Sequence, residues 1–198
     1  MAYYGGATAV GIKSNSGVVL AAERRFSYGG YILSKTARKV FKITDRIAFA
    51  GAGLVADIQA MNKIIQAEIK YYEISMGRPI SIRSAAKLIS SILYSYKYLP
   101  MISELIIGGV DYEGYHLYVM DPLGSLIEDD YAAVGSGAPI AIGIIENSYK
   151  PDLNPEQMVE LAVSAIKTAI SRDAMSGDGI DVILITSEKT LEKFIKIS

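Results

Sequence analysis

The sequence contains no cysteine and only one histidine, His116. Without cysteine, the chain can have no disulfides, no zinc site built from thiolates and no cysteine nucleophile. A Ser-His-Asp triad would need His116, but the residues around it, from Tyr115 to Met120, have the pattern of an ordinary β-strand. Chemistry that depends on a thiol or on a histidine base is therefore disfavoured.

Strong net charge and long apolar runs are also lacking. The 198 residues carry a net charge of −1 and 51% of them are hydrophobic, which argues against disorder and against a basic surface for nucleic acid. The apolar runs stop well short of the ~18 residues needed to span a bilayer. The first residues lack the basic region and long apolar segment of an export signal. We therefore expect a single cytoplasmic domain with neither nucleic acid nor a membrane as partner.

The first half of the chain is predicted to form short strands and then two helices. Runs of branched and small apolar residues, separated by turn residues, predict the strands. These strands cover residues 8–13, 18–23, 40–43 and 47–52. From Leu54 the apolar residues recur at helical spacing as far as Gly77, and a second helix is predicted from the N-cap Ser81 to about Pro100. No strand separates the two helices.

The second half returns to strands and then to helices. The predicted strands cover residues 102–110, 115–120, 125–134 and 180–186. A short helix is predicted over 140–148, and a longer one begins at the N-cap Asn154 with Pro155 in its first turn and ends near Ala174. Residues 191–197 predict a charged amphipathic helix. This order suits two antiparallel sheets stacked face to face, with helices on both outer sides.

A glycine-bounded segment, from Gly6 to Gly11, begins the first strand and reads Gly-Ala-Thr-Ala-Val-Gly. Glu23 ends the second strand, and Lys39 immediately precedes the next predicted one. This layout resembles the N-terminal part of archaeal proteasome β subunits, whose mature chain begins with a threonine directly after a glycine. The family pattern there is Gly-Thr-Thr-Thr-Val-Gly, so Ala7 stands where the nucleophilic threonine is expected.

The resemblance covers nearly the whole chain and implies an α+β fold of the N-terminal-nucleophile hydrolase type, a four-layer α-β-β-α sandwich with two antiparallel sheets. Such an enzyme uses a hydroxyl nucleophile, its own α-amino group as base, a buried ion pair and a backbone N–H for the oxyanion, without metal or cofactor. The resemblance assigns the ion pair to Glu23 and Lys39 and the oxyanion N–H to Gly53. Three further residues match those around the N-terminus in the family: Ser136, Asp173 and Ser176.

The same residues also allow purely structural roles. Glu23 and Lys39 suit a plain salt bridge at strand ends, and Gly53 suits tight packing between a strand and a helix. Asp173 and Ser176 suit a hydrogen-bonded cluster at the end of a helix. In a subunit without a nucleophile, these structural roles would be the remaining ones.

Replacement of the threonine by Ala7 has a direct chemical consequence. A methyl group can neither attack a carbonyl nor cleave the bond between Gly6 and Ala7. We therefore expect residues 1–6 to remain attached, as a leader, to a single domain over 7–198 that is catalytically silent.

An active alternative assigns the nucleophile to Thr8 after trimming by another enzyme. Side chains alternate along a strand, so Thr8 is expected to point to the opposite face from Ala7 and away from Lys39. Ala9 also departs from the threonine pattern, which favours natural loss over a single engineered replacement.

Two other classes fit parts of the sequence. Residues 51–56 match the Gly-x-Gly-x-x-Ala fingerprint of dinucleotide-binding proteins, but that fingerprint requires a second parallel strand after the helix, and here a second helix follows. A proteasome α subunit would share the fold and lack the nucleophile, but α subunits carry an N-terminal helix that is not predicted here.

The resemblance implies particular partners. The chain would be a subunit of the 20S core particle, in which seven-membered β rings are enclosed by α rings and unfolded proteins are degraded. Sister β subunits with an intact threonine would cut the substrate, while this subunit would contribute ring structure.

Overall fold

The computed structural model describes residues 6–28 and 30–197, and the strands and helices below are those of this part of the chain. The first five strands are β1 (Thr8–Ser14), β2 (Gly17–Glu23), β3 (Phe26–Tyr28), β4 (Tyr31–Ser34) and β5 (Val40–Lys42). Strand β6 (Ile47–Gly53) leads into helices α1 (Val55–Met76) and α2 (Ile82–Ser95). The second half contains β7 (Ser103–Asp111), β8 (Gly114–Met120), β9 (Ile127–Glu128), β10 (Tyr131–Gly135), α3 (Ala138–Ser148), α4 (Pro155–Ile170), β11 (Ile180–Ile185) and β12 (Thr190–Ile195).

The strands form two five-stranded sheets and one separate hairpin. The first sheet has the order β10-β1-β2-β11-β12, and the second has the order β5-β6-β7-β8-β9. Strands β3 and β4 pair only with each other. Every strand pair in the described residues is antiparallel. The start of β1 is held between two neighbours, because Thr8 lies opposite Gly135 and Ala9 lies opposite Ala22.

Three buried clusters define four layers. One cluster joins the first sheet to α3 and α4, a second joins the other sheet to α1 and α2, and the third fills the space between the sheets. Along β1 the alternation of side chains sends Val10 and Ile12 toward α3 and α4, and Ala9 toward the second sheet. The α+β sandwich with two antiparallel sheets, expected from the sequence, is therefore confirmed.

The two sheets approach closely because small residues line the space between them. A Cβ atom on Gly11 would lie 2.8 Å from both Ile106 Cγ2 and Leu117 Cδ1 of the opposite sheet. A side chain at Gly11 would push the sheets apart.

The predicted starts of α1, α2 and α4 agree with the structure, while α3 begins at Ala138, two residues before its predicted start. The Ser81 hydroxyl accepts the Ser84 N–H at the start of α2, and Asn154 and Gln157 form a reciprocal capping box at the start of α4. Helix α1 ends at Gly77, whose φ of 64° is left-handed. The predicted helix ends were too late for α2 and α4, which stop at Ser95 and Ile170.

The prediction of a terminal helix over residues 191–197 was wrong. The segment forms β12, which pairs antiparallel with β11 from Ile185 opposite Thr190 to Ile180 opposite Ile195. The apolar spacing of Leu191, Phe194 and Ile195 fits a helix, but the free edge of β11 offers backbone hydrogen bonds that a short exposed helix cannot match.

The predicted single strand over residues 125–134 was also wrong. The structure divides it into β9 and β10, which lie in different sheets. None of the helices in the described ranges is both long and apolar enough to cross a lipid bilayer.

Candidate active site

Ala7 and Thr8 face opposite sides of the first sheet. Ala7 is fully buried in the cluster between the sheets. Thr8 is also fully buried, and its Oγ1 lies 2.7 Å from Ser176 Oγ and beside Gly137, where α3 begins. The expected alternation is present, so the Thr8 hydroxyl does not occupy the position of the Ala7 methyl group.

Lys39 lies immediately before β5, and its side chain is fully buried. Its Nζ donates to Glu23 Oε1 at 2.7 Å, to the Glu23 carbonyl at 3.1 Å and to the Arg25 carbonyl at 2.6 Å. An ammonium group has three protons, and these three acceptors use all of them. Burial lowers the pKa of Lys39, and the charge of Glu23 opposes that shift.

Glu23, at the end of β2, accepts hydrogen bonds on both carboxylate oxygens. Oε1 accepts from Lys39 Nζ and, at 3.4 Å, from the Thr8 N–H. Oε2 accepts from the Arg25 N–H at 2.6 Å and from the Gly177 N–H at 3.0 Å. Burial raises the pKa of Glu23, while Lys39 and these N–H groups lower it. The carboxylate thus joins β1, β2, Lys39 and the loop that contains Gly177.

A chain of hydrogen bonds connects the start of β1 to the loop after α4. Asp173 Oδ2 accepts from Ser136 Oγ at 2.6 Å and from Ser176 Oγ at 2.7 Å. Each serine has one hydroxyl proton, so Ser176 must accept from Thr8 Oγ1, and Ser136 is free to accept the Ala7 N–H at 3.2 Å. The three residues Ser136, Asp173 and Ser176 therefore meet around Ala7 and Thr8.

Gly53 ends β6 in a conformation that only glycine adopts readily. Its φ is 123°, and a Cβ atom there would lie 2.3 Å from the Ile102 carbonyl oxygen. The Gly51 N–H donates to the Lys39 carbonyl, and N–H groups two residues apart in a strand point to the same edge. Gly53 thus lies two residues beyond the contact of β6 with Lys39.

Arg25 is a further part of this region that sequence reasoning missed. Its guanidinium bonds to Asp178 Oδ2 at 2.8 Å and to the Ala174 carbonyl at 3.0 Å. A Cβ atom on Gly177 would lie 2.2 Å from Arg25 Nη2, so the guanidinium lies directly against the loop. The sequence gives one signal for Arg25, its basic side chain two positions after Glu23. The ion pair itself could not be predicted, because the partner Asp178 is far away in the chain.

The dinucleotide-binding alternative does not fit this geometry. Residues 51–56 lie at the end of β6 and the beginning of α1, but β6 pairs antiparallel with both β5 and β7. The fingerprint needs a parallel strand on the far side of the helix, and the chain instead enters α2.

The fold has two stacked antiparallel sheets between pairs of helices, and a buried lysine and carboxylate lie beside the first strand. These features define the sandwich class of the N-terminal-nucleophile hydrolases. The family model described as "Proteasome subunit" matches residues 3–185. The chain is 62% identical to proteasome subunit beta 1 of Hyperthermus butylicus over 188 residues, which cover 94% of this chain and 92% of that protein. The chain belongs to the proteasome β subunit family.

Two other archaeal relatives show similar coverage. Proteasome subunit beta 2 of Caldivirga maquilingensis is 53% identical over 190 residues, 96% of this chain and 95% of the relative. Proteasome subunit beta 2 of Pyrobaculum calidifontis is 51% identical over 192 residues, 97% of this chain and 95% of the relative. The similarity therefore extends over the whole domain and not only over the N-terminal motif.

Proposed function

We propose that the chain is a catalytically silent β subunit of the 20S proteasome core. The observation that carries the proposal is the methyl side chain of Ala7, immediately before Thr8, whose N–H contacts Glu23 of the buried ion pair. A methyl group cannot form a covalent intermediate with a peptide carbonyl. The Lys39 ammonium has acceptors on Glu23 and Arg25 for all three of its protons, so the ion pair is complete without a hydroxyl at position 7.

Thr8 is a poor substitute for the missing nucleophile. Its hydroxyl is buried and donates to Ser176, which in turn donates to Asp173. A nucleophilic hydroxyl needs a base that takes its proton and a position open to the substrate. A chain trimmed to Thr8 would have its own α-amino group as base, but the Thr8 hydroxyl is fully buried and is not open to a substrate.

The proposed partners are α subunits and sister β subunits in stacked seven-membered rings of a cytoplasmic particle. The sister subunits supply the threonine that cuts unfolded protein substrates, without a metal or cofactor in the reaction, and neither nucleic acid nor a membrane takes part. In this proposal residues 1–6 stay attached to the domain over 7–198. Residues 1–5 lie outside the described part of the chain, while Gly6 is buried against Met175 and Ser136.

Reconstitution of the particle tests the proposal. Particles built from α subunits with this chain alone are expected to hydrolyse neither fluorogenic peptides nor an unfolded protein. Particles that also contain a sister β subunit should be active, and replacement of the sister's own N-terminal threonine by alanine should abolish that activity. Hydrolysis by particles with this chain alone, lost again in Thr8→Val, would overturn the proposal and assign the nucleophile to Thr8.

A further inference from the structure

Three potential metal ligands meet at the hairpin between β7 and β8, in the second sheet. Asp111 is the last residue of β7, Glu113 lies in the turn, and His116 follows near the start of β8. Each offers one ligand atom, and these atoms all lie within 4.8 Å of one another. The sequence pattern alone predicted an ordinary strand position for His116, and Asp111 and Glu113 lie between two predicted strands.

A fourth side chain fixes the orientation of the imidazole. His116 Nδ1 lies 2.8 Å from Glu128 Oε1 on β9. A carboxylate accepts hydrogen bonds, so the proton of a neutral imidazole resides on Nδ1, and Nε2 carries the lone pair. This is the arrangement in which a carboxylate commonly positions a metal-binding histidine in proteins.

The other ring nitrogen is buried without a hydrogen bond. His116 Nε2 has no hydrogen-bond partner among the residues that the structure describes. Asp111 Oδ1 lies 3.6 Å from His116 Nε2, which is beyond hydrogen-bond distance. A lone pair and a carboxylate oxygen thus face each other in a buried place, and a cation between them would satisfy both.

Asp111 is held in place for such a role. Its Oδ2 accepts the Ile82 N–H, at the start of α2, at 2.7 Å, and its Oδ1 accepts the Glu113 N–H at 2.8 Å. Its side chain is only 7% exposed. The Glu113 side chain is exposed, so an ion could reach the site from solvent and keep water as a further ligand.

We propose that Asp111, Glu113 and His116 bind a divalent transition-metal ion of the Zn²⁺ type. One imidazole nitrogen with two carboxylates favours Zn²⁺ over Mg²⁺ or Ca²⁺, which prefer oxygen ligands alone. Two ligand atoms bound to Zn²⁺ at ~2.0–2.1 Å in tetrahedral geometry lie about 3.4 Å apart. The distance of 3.6 Å between His116 Nε2 and Asp111 Oδ1 needs little adjustment. The ion would fasten the β7–β8 turn to the start of α2.

Calorimetric titration of Zn²⁺ into the chelator-treated full-length chain tests the proposal. We expect one equivalent to bind, and the thermal unfolding midpoint to rise with Zn²⁺ concentration because the ion binds the folded state. His116→Gln and Glu113→Gln should each weaken binding at least ~10-fold, and Glu128→Gln should weaken it ~10–100-fold through loss of imidazole orientation. Glu146→Gln, at an exposed position on α3, is the matched control and should bind as the parent chain does.

Zn²⁺ binding can be tested without any measurement of proteolysis. Absence of stoichiometric Zn²⁺ binding, or equal affinity in the parent chain and Glu113→Gln, would overturn the proposal. Glu113 is exposed, so that variant remains informative even if His116→Gln folds poorly. Co²⁺ supplies a second readout, because its visible absorption should change with Glu113→Gln if the carboxylate is a ligand.

Discussion

The Glu23 carboxylate and the Lys39 ammonium form an ion pair at 2.7 Å in a place where neither side chain is exposed to solvent. Burial of two charges is costly unless the remaining hydrogen-bonding positions are filled. Here backbone carbonyls fill those of Lys39, and N–H groups fill those of Glu23. The pair therefore needs no nucleophile to be stable.

Removal of one member of this pair should destabilise the fold strongly. Lys39→Met leaves the buried Glu23 carboxylate without its counter-charge, and we expect a loss of about 3–5 kcal/mol in the free energy of unfolding. The double variant Glu23→Gln with Lys39→Met should lose less than the sum of the two single changes, because both charges are gone. Denaturant unfolding of the four proteins measures this coupling. A loss below about 1 kcal/mol in Lys39→Met would show that the ion pair is not buried as described.

Stability at low pH should depend on Asp178. Its hydrogen bond with Arg25 lowers the pKa of Asp178 below the ordinary value of 3.8. Between the folded and unfolded pKa values the unfolded chain binds more protons, so stability increases with pH in that interval. The stabilisation is complete above the unfolded pKa and is lost as pH falls through the folded pKa.

Asp178→Asn tests this dependence without disturbing the backbone. Asp178 has a φ of 70°, and asparagine also tolerates the left-handed region. We expect a loss of about 1.5 kcal/mol at pH 7, and a smaller difference from the parent chain as pH falls well below about 4. Unfolding curves at several pH values measure it. A difference that stays constant down to the lowest pH would contradict the assignment to charge.

A side chain at Gly53 should be poorly tolerated. Gly53→Ala combines a φ of 123° with a Cβ contact of 2.3 Å to the Ile102 carbonyl, so we expect a loss of about 2–4 kcal/mol. Gly77→Ala is the control, since Gly77 is also left-handed but a Cβ there meets nothing within 4 Å. That change should cost about 1 kcal/mol. If thermal unfolding showed equal losses of stability in the two variants, backbone strain alone would explain both, and the contact with the Ile102 carbonyl would contribute nothing.

Restoration of the nucleophile should reveal whether the surrounding groups still support catalysis. We expect Ala7→Thr, in a chain that begins at residue 7, to react with a threonine-directed covalent inhibitor after assembly. The Lys39 ammonium would exchange one of its acceptors for the new hydroxyl. The same change combined with Lys39→Arg is the control, because a planar guanidinium does not reproduce the compact ammonium that would face the new hydroxyl. A correctly assembled Ala7→Thr particle without labelling would show that the supporting site is not competent.

Much of the fold follows from local sequence. The caps at Ser81 and Asn154 and the left-handed Gly77 place helix boundaries, because their hydrogen bonds involve residues a few positions away. The strand β12 could not be predicted in this way. Its segment has helical apolar spacing, and it becomes a strand only because β11 lies beside it in the folded chain.

The candidate site shows the same division. The resemblance to a known family was enough to select Glu23, Lys39 and Gly53 as candidate site residues. Arg25 was missed because its partner Asp178 lies 153 residues away, and no local pattern connects the two. The cluster around His116 was missed for a similar reason. Glu128 lies on β9, which was predicted to form one strand with β10.

The most direct test of catalytic silence is the intact mass of this chain, recovered from an assembled particle that has been treated with a threonine-directed covalent inhibitor. We expect a chain that retains residues 1–6 and carries no adduct, while the sister β subunit of the same particle is labelled. A chain that begins at Thr8 and carries the inhibitor would show that Thr8 is an active nucleophile and that the subunit is not silent.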